Sequence, residues 1–287
     1  MNVPWVHDGV LFLSRDKNYT FKEFAVHVVA IYGWKAETEE LAQLISETLG
    51  NTVFDAQQRL AAGSPSVLVK YGSYKDAREL EKRLNQNGIP TLVVDAEEVQ
   101  QRTGQLIVEH FEFRESSLYI ETINRRKGEI SFRDIDLLLP VTGTTVHSET
   151  KTYTERKFSI GKTLLTGGIP MSKKVEHQQN VETVKRSKTL FVYIKRLREP
   201  AVFRQNKLNF EDLGEAMKIS REQNFFYLMS ELHRLSPGVV YDDRLQRRIG
   251  QVRLLGPTLN PETNLDLAVE ILARSLRAAR KGGKAFG

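Results

Sequence analysis

Three groups of residues have types that could do chemistry. Gly161-Lys162-Thr163, inside FSIGKTLLTGG (158–168), ends like a phosphate-binding loop. That loop needs G-x-x-x-x-G-K-[ST], so that backbone N–H groups wrap the phosphates, and a helix behind it. Position 156, where the first glycine belongs, is Arg156, and Gly167-Gly168-Ile169-Pro170 stops any helix after one turn. The stretch is therefore not read as a nucleotide site. Asp242-Asp243, in VVYDDRL, is the best acidic pair. Adjacent aspartates hold a divalent metal or work as acid and base, but Pro237-Gly238 just upstream favours a turn. The histidines are His7, His27, His110, His147, His177 and His233, and no two are three or four residues apart. His147 and His177 would meet only if the segment between them folded back as a hairpin. There is no G-x-S-x-G elbow and no cysteine. The expectation is a chain with no catalytic residues, no metal and no cofactor: not an enzyme.

Charge points to binding. The net charge is +6, and residues 141–188 carry nine Lys and Arg against four Glu, most of the excess. A second basic cluster, Arg274, Arg277, Arg280, Lys281 and Lys284, sits near the C-terminus. Such clusters attract phosphates or anionic lipid, or form solvated faces. The absence of cysteine excludes disulfides and fits a reducing compartment. The N-terminal MNVPWVHDGV lacks a basic start followed by an apolar run, and no window of about 18 apolar residues exists. A cytoplasmic location is expected.

The elements that must position these residues fall into two sets. FAVHVVAIY (24–32) reads as a buried strand. KAETEELAQLISETLG follows as a helix, with Leu41, Leu44, Ile45 and Leu49 at helical spacing and acids in its first turn. TVFDAQQRLAAG is a second helix and SVLVKYG a strand. SYKDARELEKRLNQNG is an amphipathic helix capped by Ser73 and ended by Gly88, and IPTLVVD is the closing strand. The order β-α-α-β-α-β over 24–95 predicts a small α+β sandwich. Residues 1–23 stand before it as an extension, and AEEVQQRTG (96–104) reads as a polar linker.

The second set is 105–250. Strands are expected at 105–113, 117–123 and 129–139, then, after a basic insertion at 141–188, at 188–196 and 201–210. SREQNFFYLMSELHRLSPG is a strong helix, with Ser220 and Gln223 as a capping box. Residues 251–287 add a helix starting at Asn260-Pro261, with Leu265, Ala268, Ile271, Leu272 and Leu276 on one face, and a basic tail.

Residues 24–95, by this element order and through DAQQRLAAGSPSVLVKYGSYKDARELEKRLNQNGIPTLVV, resemble the C-terminal domain of the bacterial ribosomal stalk protein, a fold shared with the Clp protease adaptor. The resemblance implies a protein-docking module. The stalk family docks through a lysine-rich first helix, whereas Glu37, Glu39, Glu40 and Glu47 stand here, so its ligand does not transfer. SLYIETINRRKGEISFRDIDLLLPV resembles bacterial PH-like and GRAM domains, which implies a β-barrel with a capping helix. In such domains a basic turn between early strands meets anionic head groups, which singles out Arg125, Arg126 and Lys127.

The expected protein is thus α+β: the small sandwich, then a PH-like barrel carrying a long basic insertion. Its expected role is a non-enzymatic adaptor or scaffold using two docking domains for protein–protein contact. The alternative is a peripheral module binding anionic membrane or nucleic acid through the insertion. The candidate anion contacts are Arg125, Arg126, Lys127, Arg156, Lys157, Lys173 and Lys174. Phe158, Leu164, Leu165, Ile169 and Met171 put apolar side chains inside that charged frame, a candidate contact for a partner or a second copy of the chain.

Overall fold

The computed structural model describes residues 6–7, 10–11, 26–34, 38–102, 105–158 and 172–281, with backbone only at 6–7, 10–11, 145–158 and 172–185. The fold is mixed α+β. Val6–His7 (β1) and Val10–Leu11 (β2) pair as a short ribbon.

The first set of elements runs His27–Ile31 (β3), Glu39–Leu49 (α1), Val53–Ala61 (α2), Ser66–Tyr71 (β4), Tyr74–Gln86 (α3) and Thr91–Asp95 (β5). Local chemistry explains the boundaries. The Thr38 side chain accepts from the Leu41 N–H to start α1, and Gly50 ends it with φ 68°, where only glycine is unstrained. Thr52 and Asp55 form the complete capping box of the chain's second helix. Ser73 caps α3 through the Asp76 N–H. The three strands are antiparallel in the order β4-β3-β5.

Both faces of β3 are buried. Val29 and Ile31 face α1–α3, in a core with Ile45, Leu60, Leu80 and Leu84. Val28 and Ala30 face the other way, into a core shared with the rest of the chain. That double burial is why HVVAI reads as an unbroken apolar run rather than an alternating one.

The second sheet has seven strands: Leu106–Phe113 (β6), Ser117–Thr122 (β7), Lys127–Ser131 (β8), Ile135–Phe158 (β9), Ser172–Ile194 (β10), Ala201–Arg204 (β11) and Val240–Tyr241 (β12). Their order is β12-β9-β10-β11-β6-β7-β8, with β11–β6 and β12–β9 parallel. This sheet is open and mixed, where a closed barrel is expected from the sequence; its end strands β12 and β8 do not pair. Closure is unnecessary because helices cover both faces. Arg221–Leu235 (α5), capped by Ser220 through the Gln223 N–H, lies on the face of Leu138, Leu190, Val192 and Phe203. Leu265–Lys281 (α7) lies on the face of Leu137, Leu139, Phe191 and Tyr193. A bulge opposite Tyr193 and Ile194 puts one extra residue, Asp136, into β9 and lets Ile135 and Leu137 join opposite cores.

Two sequence expectations change here. The polar linker at 96–104 contains a helix, Ala96–Gln100 (α4), started by the Asp95 carboxylate accepting from the Glu97 and Glu98 N–H groups. Its Ala96 and Val99 enter the shared core. The C-terminal helix, expected to bury one face, is buried without interruption from Leu267 to Ala273, because it is sandwiched between the three-stranded and seven-stranded sheets. It also begins at Leu265, a turn beyond Asn260-Pro261, whose Asn260 carbonyl accepts from the Thr263 and Asn264 N–H groups instead.

The expected insertion at 141–188 is the continuation of two core strands. β9 and β10 stay in register from Val141↔Thr189 to Phe158↔Ser172. Their partners β12 and β11 reach only Leu138 and Thr189. Beyond these points the two strands go on pairing with each other as a β-arm, tied at its base by the Thr142 carbonyl accepting from Gln251 Nε2 at 2.8 Å and the Lys188 carbonyl accepting from the Gln205 N–H at 3.0 Å. Its root is Gly143, opposite Ser187 and against Leu265 of α7: a Cβ on Gly143 would lie 3.1 Å from the Ser187 hydroxyl and 3.5 Å from the Leu265 side chain. From Thr145↔Lys185 outward, at about 3.4 Å per residue, the arm is on the order of 45 Å long.

Candidate functional site

The arm sets its charges by register. Arg156 opposes Lys174 and Lys157 opposes Lys173, so the four arm cations predicted to bind anions occupy two successive cross-strand pairs next to the last pair, Phe158↔Ser172. Like charges directly opposite on a ribbon destabilise it. The nearest acids by register are Glu176, two residues from Lys174, and Glu155, two residues from Lys157. The distribution along the arm is equally uneven. Residues 156–174 carry Arg156, Lys157, Lys162, Lys173 and Lys174 and no acid. The remainder, 142–155 and 175–188, carries Lys151, Lys185, Arg186 and Lys188 against Glu149, Glu155, Glu176 and Glu182. Arg186 and Lys188 lie at the root, Lys188 paired with Glu222 of α5, so from Thr145↔Lys185 outward the shaft carries Lys151 and Lys185 against four glutamates, and the positive charge is concentrated at 156–174.

Of the five apolar contact candidates, Phe158 sits at the last register pair. Leu164, Leu165, Ile169 and Met171 lie outside the described residues. The hairpin that would bring His147 and His177 together does form, but it pairs His147 with Thr183 and His177 with Tyr153, six rungs apart. Strand register, not proximity in a loop, decides their separation.

The other predicted cations are committed differently. Arg125 reaches Glu121 at 3.0 Å and Lys127 reaches the same carboxylate at 3.6 Å. The hydrogen bond from Arg125, with the charges of Lys127 and Arg125, holds the Glu121 carboxyl below the usual carboxylate range. Of the basic turn, Arg126 alone has no carboxylate within ion-pair distance among the described residues, so this turn is a weaker anion contact than its sequence suggests.

Three arginines of the C-terminal basic cluster, Arg274, Arg277 and Arg280, are engaged inside the molecule. Glu270, buried on α7, accepts two bonds from Arg102, at 2.7 and 2.9 Å, and a third from Arg274. Burial alone would raise the Glu270 carboxyl, but the bonds and charges of Arg102 and Arg274 outweigh it and hold the carboxyl below its ordinary value. Arg277 pairs with Asp136, the bulge residue, at 3.1 Å, and donates to the Ile194 carbonyl at 3.1 Å. Its guanidinium also lies over the Tyr193 ring. Arg280 caps the carbonyls of Asp136 and Gly238. These arginines fasten α7 to the edge of the sheet. No signal in the sequence marks Arg102 as the partner of Glu270 or Asp136 as the partner of Arg277, because each pair is more than a hundred residues apart.

Asp242 and Asp243 do line a cavity. It measures about 410 Å³ and lies between the Ala62–Pro65 turn and the helix Arg248–Leu255 (α6), with Tyr241, Arg244 and Arg253 in its wall. Asp242 is committed: its carboxylate accepts from Arg244 Nε at 2.9 Å and from the Arg244 N–H at 3.1 Å. Arg244 is thereby aimed at the Ser64 carbonyl. The pair therefore links the two sets of elements and leaves no second carboxylate to share a metal with Asp243. Among the described residues no three His, Asp or Glu side chains stand close enough to hold a metal ion, and no helix is long and apolar enough to cross a membrane.

No protein-family model matches the chain, and neither do any curated protein or any solved structure.

Proposed function

We propose that this chain is a non-enzymatic adaptor or scaffold of the cytoplasm, built as a rigid body that holds a contact element away from itself. The observation that carries the reading is the β-arm. A two-stranded ribbon is marginal on its own in water, and this one sets like charges opposite each other at two successive register pairs. Such a feature fits contact with another molecule better than stability.

The rest of the chain supports the same role. The β3-to-β5 unit keeps the element order of the stalk-like and adaptor-like docking domains, with β3 central. Helix α5, laid over one face of the second sheet, is the feature shared with PH-like domains, from which the open, mixed strand order departs. Of the acidic pair that offered the best catalytic alternative, Asp242 is engaged in holding Arg244.

The test is affinity capture from the native host with the full chain and with a variant in which 145–185 is replaced by a two-residue turn. The expected outcome is a protein partner, or a second copy, retained by the full chain and lost by the shortened one. Equal retention by both would remove the arm from the function.

A further inference from the structure

We infer that the outer edge of β5 is a dimerisation surface, where a second copy of this chain adds its own β5 antiparallel about a two-fold axis through Val93. The surface lies outside the arm, and the inference does not depend on the arm.

The register of β3 and β5 decides which backbone groups face outward. Bonds from the Tyr32 N–H to the Pro90 carbonyl and from the Ala96 N–H to the Val26 carbonyl flank this ladder. Bonded pairs alternate along antiparallel strands. Leu92 and Val94 therefore bond to Ala30 and Val28, while Thr91, Val93 and Asp95 turn their backbone groups away from β3. β5 ends its sheet, so no strand among the described residues meets these groups. The Thr91 N–H is occupied otherwise, donating to Asn85 Oδ1 at 3.1 Å.

An exposed strand edge pairs with other chains unless something blunts it. The other ends of the two larger sheets are blunted. Arg59 donates to the Val67 and Leu68 carbonyls of β4. β8 carries Lys127, Gly128 and Glu129, and β12 has only two residues. β5 reads TLVVD, with no Lys, Pro or Gly, and its Leu92 and Val93 are half-buried.

This edge is complementary to itself. With Val93 opposite Val93 of a second copy, each Val93 N–H meets the other Val93 carbonyl, and each Asp95 N–H meets a Thr91 carbonyl. Leu92 falls opposite Val94, so apolar side chains meet apolar ones, and the two Asp95 carboxylates stay apart. Antiparallel pairing also sets unlike ends together. The Thr91 end follows the last turn of α3 with its Arg83, and the Asp95 end leads into the first turn of α4 with Glu97 and Glu98. Parallel pairing would set acid beside acid. A contact of one patch with itself closes at two copies.

The experiment is sedimentation of the full chain over a range of concentrations, with hydrogen exchange of single amides read in parallel. The expected result is a dimer that dissociates on dilution, with the Val93 and Asp95 amides protected only when it forms. The Glu129 amide, which faces outward on β8 by the same alternation, should not change. V93K sets two ammonium groups opposite each other and should weaken the dimer at least about tenfold, as should V93E with two carboxylates. The two variants mixed should restore a dimer that neither forms alone. A parent chain that is monomeric at every concentration overturns the inference. So does a dimer whose Val93 and Asp95 amides exchange as in the monomer, or a V93K dimer as tight as the parent's. The adaptor reading fails separately: the chain with 145–185 replaced by a turn should dimerise as the parent does, and partner capture in a V93K background reads the arm alone.

Discussion

The C-terminal helix and the β-arm carry basic clusters that look alike as sequence and have opposite fates in the structure. On the helix, Arg274, Arg277 and Arg280 meet Glu270, Asp136 and a set of backbone carbonyls, so each guanidinium is answered within the fold. On the arm, Arg156 and Lys157 are set opposite Lys174 and Lys173. The difference teaches that the number of positive residues does not reveal a binding surface. What matters is whether the fold returns an acid to them. A helix wedged between two sheets is surrounded by carbonyl ends and by carboxylates from other elements. On the arm the register sets cation directly opposite cation, and the acids nearest by register are Glu155 and Glu176, each two residues along a strand from one of them.

The contrast is open to direct attack. The largest effect is expected at Glu270. Glu270→Ala leaves Arg102 and Arg274 partly buried without their acid, a loss of about 3–5 kcal/mol, measurable by urea unfolding. A cost below about 1 kcal/mol would mean that the C-terminal cluster is as dispensable to folding as a solvated face.

Arg277→Ala should cost about 2–3 kcal/mol, since it removes the ion pair to Asp136 and the bond to Ile194. Arg277→Lys should recover only part of that, because an ammonium cannot span both acceptors in one plane.

Acid gives a smaller and more selective effect. The Glu270 carboxyl sits below its unfolded value, so its stabilisation is complete above the ordinary glutamate range, near about 4.3, and is lost as pH falls through the lower folded value. Urea midpoints of the parent chain should therefore drop on acidification below that range. The Glu270→Gln variant should show a shallower drop. Parallel curves would assign acid sensitivity to other carboxylates.

The smallest stability effect is expected from the arm. R156S/K157S/K173S/K174S should change unfolding free energy by no more than about 0.5 kcal/mol, or raise it slightly as the like-charge pairs disappear. A destabilisation matching that of Glu270→Ala would mean that the arm's cations are answered within the fold after all, and the contrast would collapse.

Local patterning read the first half of the molecule well. The periodicity and caps of 24–95 are set by neighbours in sequence, and the helices ended at Gly50 and started at Thr52 and Ser73 follow from them. The helix at Ala96–Gln100 was not legible, because its few polar-looking residues become structural only against α7, which is far along the chain. The barrel expectation failed for a related reason. Strand count and spacing were readable, but whether the end strands close depends on what covers the faces, and helices covering both faces leave the sheet open. In the candidate site, the basic and apolar residues of the insertion were visible as types. Their grouping was not, because it depends on a register that counts back from Val141↔Thr189 in the core.

The sequence by itself determined the helices and strands of 24–95 and the strong helix after Ser220, that the chain lacks a phosphate loop, and that most of the excess charge lies between 141 and 188. Those properties depend on residues within a few positions of one another. Only the tertiary structure decided which arginines are answered by acids, that the Asp242 carboxylate belongs to Arg244, and that the insertion is a ribbon with its cations paired near its end. Each of those depends on residues brought together over long separations by burial and strand pairing, forces that leave no mark at the positions they join.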